Sequence, residues 1–288
     1  MVEMPFNLRT RMSIETMVSS FNTILLTITL TLFGLMQSYS QAVRPSKQDV
    51  LNKFGFAEYL IVTGSDTTFF YLYKNKSSQP RNLVLFLHGT LTDPLFSVEE
   101  ESGKYVVYRS FPGDYRLLKD DYCYAVISKT GIPSIGYGEI KDYTKYHQYN
   151  SLDHRVMQAD LVINYIVKKL MRKVNHVIVY GHSEGAPVAA KLCTKNKRIT
   201  HLGYWAGNAL PDYFDFLLEN SKLKWTNQLS DSAAFENTKS ILASFEAISK
   251  NRDDVRAKGK DDYSSKRWWS YAEPPLNNLL KISLFTCR

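Results

Sequence analysis

Two hydrophobic patterns alternate along the chain. Short, almost unbroken β-branched and aromatic runs read as strands, and longer stretches with apolar residues at helical spacing read as helices. A helix is expected near 47–54. "AEYLIVT" (57–63) and "TTFFYLYK" (67–74), parted by "GSD", read as a hairpin. "NLVLFLHG" (82–89), "YCYAVIS" (122–128) and "VNHVIVY" (174–180) have the continuous character of strands covered on both faces, and "ITHLGYWAG" (199–207) reads as a fourth strand. Between them, 151–173 carries Val156, Leu161, Ile163, Ile166 and Val167 on one side of a helix that Ser151 can cap. "EGAPVAAKLC" (184–193) is a second helix.

Strand and helix alternating in this order predict the α/β class: a mostly parallel sheet with right-handed crossovers, helices on both faces and the antiparallel hairpin at one end. Residues 90–121 read as a long, tyrosine-rich loop with room for one helix. Residues 208–272 are polar, helical in propensity and without a strong strand, which predicts an inserted helical cap. "KISLF" (281–285) reads as the start of another strand, so the last strands and a covering helix are expected to be missing from a chain that ends at Arg288.

The N-terminal 40 residues follow another logic. Arg9 and Arg11 precede an apolar stretch at 24–36, and small residues Ser38 and Ser40 follow. That order predicts a secretory signal peptide at 1–40, an exported domain at 41–288 and no stable membrane insertion after cleavage. An uncleaved anchor at 24–36 is the alternative; the stretch is short against the ~20 residues of a membrane span.

The composition, 44% hydrophobic and 22% charged, is that of a globular protein. The formal charge of +8 comes from basic residues scattered among acids, which points to a solvated lysine-rich surface rather than a nucleic-acid partner. Three cysteines do not make a disulfide scaffold; Cys193 is expected as a free thiol in a helix. No Cys/His spacing suggests a metal, and no cofactor is implied.

Chemistry enters at "VIVYGHSEGAPVAAKL" (177–192), where a strand passes through Gly-His-Ser-Glu-Gly into a helix. A serine on so tight a bend takes strained backbone angles that lift its hydroxyl above the sheet. Gly181 and Gly185 leave room where side chains would strike neighbouring backbone. A tight turn in a Rossmann-like nucleotide binder is the competing reading, but "HGTLTDP" is not a glycine-rich phosphate loop. With "LFLHGT" ending an earlier strand, the sequence resembles the α/β-hydrolase superfamily. The resemblance implies a serine esterase, lipase or peptidase-like enzyme acting on a small acyl substrate. It makes Ser183 the nucleophile and the backbone N–H groups of Thr90 and Glu184 the oxyanion donors, with Gly181 and Gly185 as the elbow glycines. His88 and His182 match structural positions, and Glu184 is expected to line the pocket.

The resemblance also implies an acid and a histidine after the serine. The one histidine that follows, His201, starts the fourth strand, about 15 Å below the active edge. A C-terminally truncated and impaired hydrolase is therefore expected, with neither acid nor histidine in this chain. His147 or His154 as a relocated base, or Asp212 or Asp215 as the acid, are the alternatives. An inactive binding protein on the same fold is the competing function.

Overall fold

The computed structural model describes residues 43–286, apart from 65, 75–78, 139, 141, 172 and 258–261. The expected leader at 1–40, its stretch 24–36 and Cys287 lie outside these residues. Among the described residues, 45–100 and 106–286 form one compact unit, treated below.

The elements are α1 (Lys47–Phe54), β1 (Phe56–Thr63), β2 (Asp66–Lys74), β3 (Asn82–Leu87), β4 (Phe96–Glu101), β5 (Lys104–Arg109), β6 (Tyr122–Ile127), β7 (Ile135–Gly136), α2 (Thr144–Tyr149), α3 (Leu152–Tyr165), β8 (His176–His182), α4 (Gly185–Lys195), β9 (His201–Trp205), α5 (Asp212–Trp225), α6 (Asp231–Lys250), α7 (Ser265–Ser270) and α8 (Pro275–Thr286). A six-stranded sheet runs β1-β2-β6-β3-β8-β9. Its last four strands are mutually parallel; β1 and β2 form the expected antiparallel hairpin at one end. The α/β class stands as read, and the strands expected at 57–63, 67–74, 82–89, 122–128, 174–180 and 199–207 are present with small shifts of their ends.

Local chemistry explains the element ends. Ser46 and Asp49 close a capping box on α1, and Gly55, at φ 77°, turns the chain out of it. Ser151 caps α3 by accepting from the His154 N–H, as expected. The buried side of α3 is Val156, Ala159, Val162, Ile163 and Ile166, shifted slightly from the predicted set because Leu161 is only half-buried. Two polar residues, Arg155 and Gln158, share that side.

The core lies on one face of the sheet, where Leu83, Leu85, Leu87, Val177 and Val179 meet α3 and α4. Each such aliphatic side chain contributes about 1.5–3 kcal/mol when fully removed from water. Aromatic rings cluster beyond the other face. Phe54 of α1 and Phe56 pack on Phe96 and Phe111, and from there Tyr115, Tyr124, Phe86, Tyr180 and Trp205 follow one another at centroid spacings of 5.3–6.4 Å.

Two expectations are corrected. Residues 90–121 hold β4 and β5, which join β7 in a second, three-stranded sheet, and a single 3-10 turn at Asp114–Leu117. The polar residues of "FSVEEE" and "KYVVYR" hid the strands, since one side of each is largely exposed. "KISLF" falls in helix α8, not in a strand. Pro275 supplies a first helical residue that needs no N–H partner. Its apolar run continues a helical rhythm: Pro275 and Asn278 are buried, Leu279 and Ile282 half-buried, and the helix packs on α4.

Among the described residues no helix is long and apolar enough to cross a membrane. Cys123 and Cys193 are free thiols, the first buried and the second partly so.

Candidate active site

Ser183 sits between the end of β8 and the first turn of α4 with φ of +52°, in the left-handed region that a residue with a Cβ adopts only under constraint. Its N–H donates to the Trp205 carbonyl at 2.9 Å, tying the bend to the end of β9, and its carbonyl accepts from the Ala186 N–H. The glycines around it are sterically compulsory. A Cβ on Gly181 would lie 2.2 Å from the Gly185 carbonyl oxygen, and one on Gly185 would lie 2.0 Å from the Leu87 carbonyl oxygen. One on Gly89 would meet the Ser183 Cβ at 3.1 Å, so the backbone after β3 passes directly beside the serine. Ala186 and Ala189, fully buried, continue the close packing of α4.

Ser183, Thr90 and Glu184 open onto a cavity of about 290 Å³, whose wall includes Asp212, Asp215, Phe216, Tyr263, Arg267 and Trp268. The sheet thus contributes the floor, and the 208–272 segment, with its helices α5 and α7, much of the wall. Among the described residues, the backbone N–H groups of Thr90 and Glu184 have no hydrogen-bond acceptor. Two unengaged donors on residues that line one cavity with Ser183 are chemically able to hold an anionic oxygen, and the N-terminus of α4 carries partial positive charge beside them.

Glu184, Asp212 and Arg267 of the lining belong to a cluster of largely buried charge. The Glu184 carboxylate, 1% exposed, accepts from Arg155 Nη1 at 2.6 Å, from Arg267 Nη2 at 2.6 Å and Nε at 3.2 Å, and faces Lys129 Nζ at 3.5 Å. Burial pushes its acid strength down, but Lys129, Arg267 and Arg155 outweigh that and hold it well below the usual carboxylate range. Arg267 also donates from Nη1 to Asp212 at 2.9 Å, and its guanidinium lies 4.5–4.6 Å from the ring centres of Tyr263, Trp268 and Tyr271. Burial raises the Asp212 carboxyl despite Arg267, and burial and the charge of Asp212 raise Asp215.

The histidines and carboxylates that the sequence offered as helpers are dispersed, as their places in the fold require. His201 is exposed at the start of β9, paired with Ile178, while His182 pairs with Trp205 at the elbow end. His154 Nε2 lies 3.0 Å from Thr130 Oγ1 and 3.4 Å from Asp66, beside the β1–β2 hairpin. His147 is buried in α2 against Tyr143 and Tyr146. His88 is buried, with its Nε2 3.2 Å from the Ile127 carbonyl; burial, Lys129 and Arg155 hold the ring well below its ordinary range, hence neutral. The His182 ring packs against Trp205, tilted by 49°, with centroids 4.4 Å apart. Asp212 and Asp215 do line the cavity. Among the described residues no histidine lines it, and no group of three His, Cys, Asp or Glu side chains is placed to hold a metal.

Sequence reasoning missed Lys129, Arg155 and Arg267. Arg155 leaves one trace, a charge at helical spacing on the apolar side of α3. Lys129 and Arg267, which follow a strand end and precede two tryptophans, leave none that separates them from surface cations.

No protein-family model matches the chain, and no curated protein matches it. Several solved structures are similar. The α/β hydrolase GrgF from Penicillium sp. sh18 is 12% identical over 79% of this chain and 76% of its own, with a TM-score of 0.43. The esterase Pf2001 of Pyrococcus furiosus is 15% identical over 70% and 69%, with a TM-score of 0.41. A 2,6-dihydroxy-pseudo-oxynicotine hydrolase is 17% identical over 67% of this chain at a TM-score of 0.40, and the chain spans half the length of that protein.

Proposed function

We propose that this chain is an exported serine hydrolase of the α/β-hydrolase type, acting on a small carboxylic ester, thioester or amide through an acyl-enzyme on Ser183. The observation that carries the reading is the strained Ser183 sharing a cavity with the unengaged N–H groups of Thr90 and Glu184. Ser183 Oγ would attack the acyl carbon. The carbonyl electron pair would move to oxygen, where the two N–H groups donate to it. Collapse would expel the alcohol, thiol or amine, and water would release the acid. A cavity of about 290 Å³ at the small end of ligand pockets favours a short acyl group, with Phe216 and Trp268 as its apolar wall. The N-terminal charge and hydrophobic pattern supports export.

The serine proton needs an acceptor, and Asp212 and Asp215 are the carboxylates besides Glu184 that share the cavity. The absence of a histidine from the cavity wall among the described residues favours a second reading, a binding protein that keeps the cavity without turnover. Labelling of the full chain with a fluorophosphonate separates the two. Modification of Ser183, abolished in Ser183→Ala, supports the hydrolase; an unlabelled Ser183 in folded protein leaves the binding protein.

A further inference from the structure

We infer that Lys129 and Arg155 are positioning residues, gripped by the Glu184 carboxylate, that aim the Thr90 N–H at the same point as the Glu184 N–H. The inference rests on the oxyanion reading above and adds how two donors from separate elements are held together. One donor belongs to the first turn of α4 and the other to the bend after β3, so nothing in either element alone sets their spacing.

The geometry of the second bend supplies the link. Lys129 Nζ donates to the Gly89 carbonyl at 2.7 Å and to the Leu91 carbonyl at 3.1 Å, the two carbonyls that flank Thr90. Arg155 Nη2 donates to the His88 carbonyl at 2.6 Å. The Gly89 carbonyl and the Thr90 N–H belong to one planar, trans peptide unit, so their bonds point in opposite directions. Lys129 is not among the residues that line the cavity and Thr90 is, so holding the oxygen toward Lys129 turns the N–H the opposite way, toward the cavity. A Cβ on Gly89 would crowd the Ser183 Cβ at 3.1 Å, so glycine lets this peptide lie close beside the serine.

The same two cations meet Glu184 Oε1, Arg155 at 2.6 Å and Lys129 at 3.5 Å. The side chain of the residue that presents one donor therefore fastens, through two cations, the three carbonyls that orient the other. Arg267 holds the second oxygen, Oε2, so the carboxylate is itself fixed. Lys129 and Arg155 are 6% and 7% exposed, so solvent does not compete for their N–H groups.

The test compares the full chain with Lys129→Met, Lys129→Arg and Glu184→Gln by two measurements. The first is the backbone ¹⁵N order parameter. Thr90 is expected near the rigid value of about 0.85 in the native chain and below about 0.6 in Lys129→Met, with the amides of β8 unchanged. The second is fluorophosphonate labelling over a range of reagent concentrations. Lys129→Met is expected to lower the limiting rate about 100-fold, in the range seen for loss of an oxyanion donor, with the half-saturating concentration unchanged within about twofold. Lys129→Arg, able to donate to two carbonyls, is expected to recover most of that loss. Glu184→Gln serves if Lys129→Met does not fold, with the same expected signature. A Thr90 order parameter equal in native and folded variant overturns the inference, as does a loss confined to the half-saturating concentration. If the native chain is not labelled at all, the hydrolase reading fails by itself, and the Thr90 order parameter still decides the clamp.

Discussion

Glu184 and Arg267, 83 positions apart, meet through two hydrogen bonds to one carboxylate oxygen, from Nη2 at 2.6 Å and Nε at 3.2 Å, with both side chains almost wholly buried. The contact joins the bend at Ser183 to the short helix α7, and Arg267 extends it to Asp212 at the start of α5. The floor and the wall of the cavity are thereby one electrostatic unit. Desolvating these charges is costly, and the cluster is tolerable only because its members satisfy one another.

Removing one member should expose that cost. Arg267→Met leaves Asp212 unpaired and weakens the compensation of Glu184, and is expected to destabilise the fold by about 3–5 kcal/mol in urea titration. Arg267→Lys should recover little, because an ammonium does not reproduce the forked contacts with Glu184 and Asp212 or the stacking on three aromatic rings. Full recovery by lysine would show that charge alone suffices.

The strain at the bend is measurable. Ser183→Gly should be more stable than Ser183→Ala by about 1 kcal/mol, since glycine accepts a φ of +52° without a Cβ penalty. Equal midpoints for the two variants would mean that the position is relaxed.

Gly185→Ala is expected to cost about 3 kcal/mol or more, read as a fall in the thermal midpoint. Its Cβ would collide with the Leu87 carbonyl oxygen, a backbone atom inside the paired strand β3 that has no room to withdraw.

Lys129 predicts a pH dependence with a definite sign. Burial lowers its ammonium from 10.5 to about 7 in the folded state, against the opposing pull of Glu184 and with Arg155 and Arg267 adding to the fall. Between about pH 7 and 10.5 the unfolded chain would then bind more protons than the folded one, so this group's contribution to stability rises with pH. The slope approaches about 1.4 kcal/mol per pH unit. The native chain should therefore gain stability relative to Lys129→Met as pH rises from 7 to 9. A constant difference across that range would place the titration elsewhere.

His201→Ala should leave fluorophosphonate labelling unchanged and stability within about 0.5 kcal/mol, since the ring is exposed at the end of β9 remote from the elbow. Loss of labelling would make His201 part of the site.

The sequence by itself determined the α/β class, the strands of the main sheet and the bend at Ser183. Each rests on local physics: unbroken apolar runs suit strands buried on both faces, helical spacing suits α3 and α4, and only glycine fits at 181 and 185. Where one side of a strand stays wet, as in β4 and β5, the run is interrupted by charges and the signal is lost. Where five apolar residues stand alone, as in "KISLF", strand and helix look alike, and the packing of α8 on α4 decides. The buried cations were legible only in three dimensions. Lys129, Arg155 and Arg267 come from a loop and two helices; in one dimension Lys129 and Arg267 read as surface cations, and Arg155 shows only as a charge on the apolar side of α3. Their meaning depends on converging upon Glu184 where water is excluded, a condition that tertiary packing alone creates.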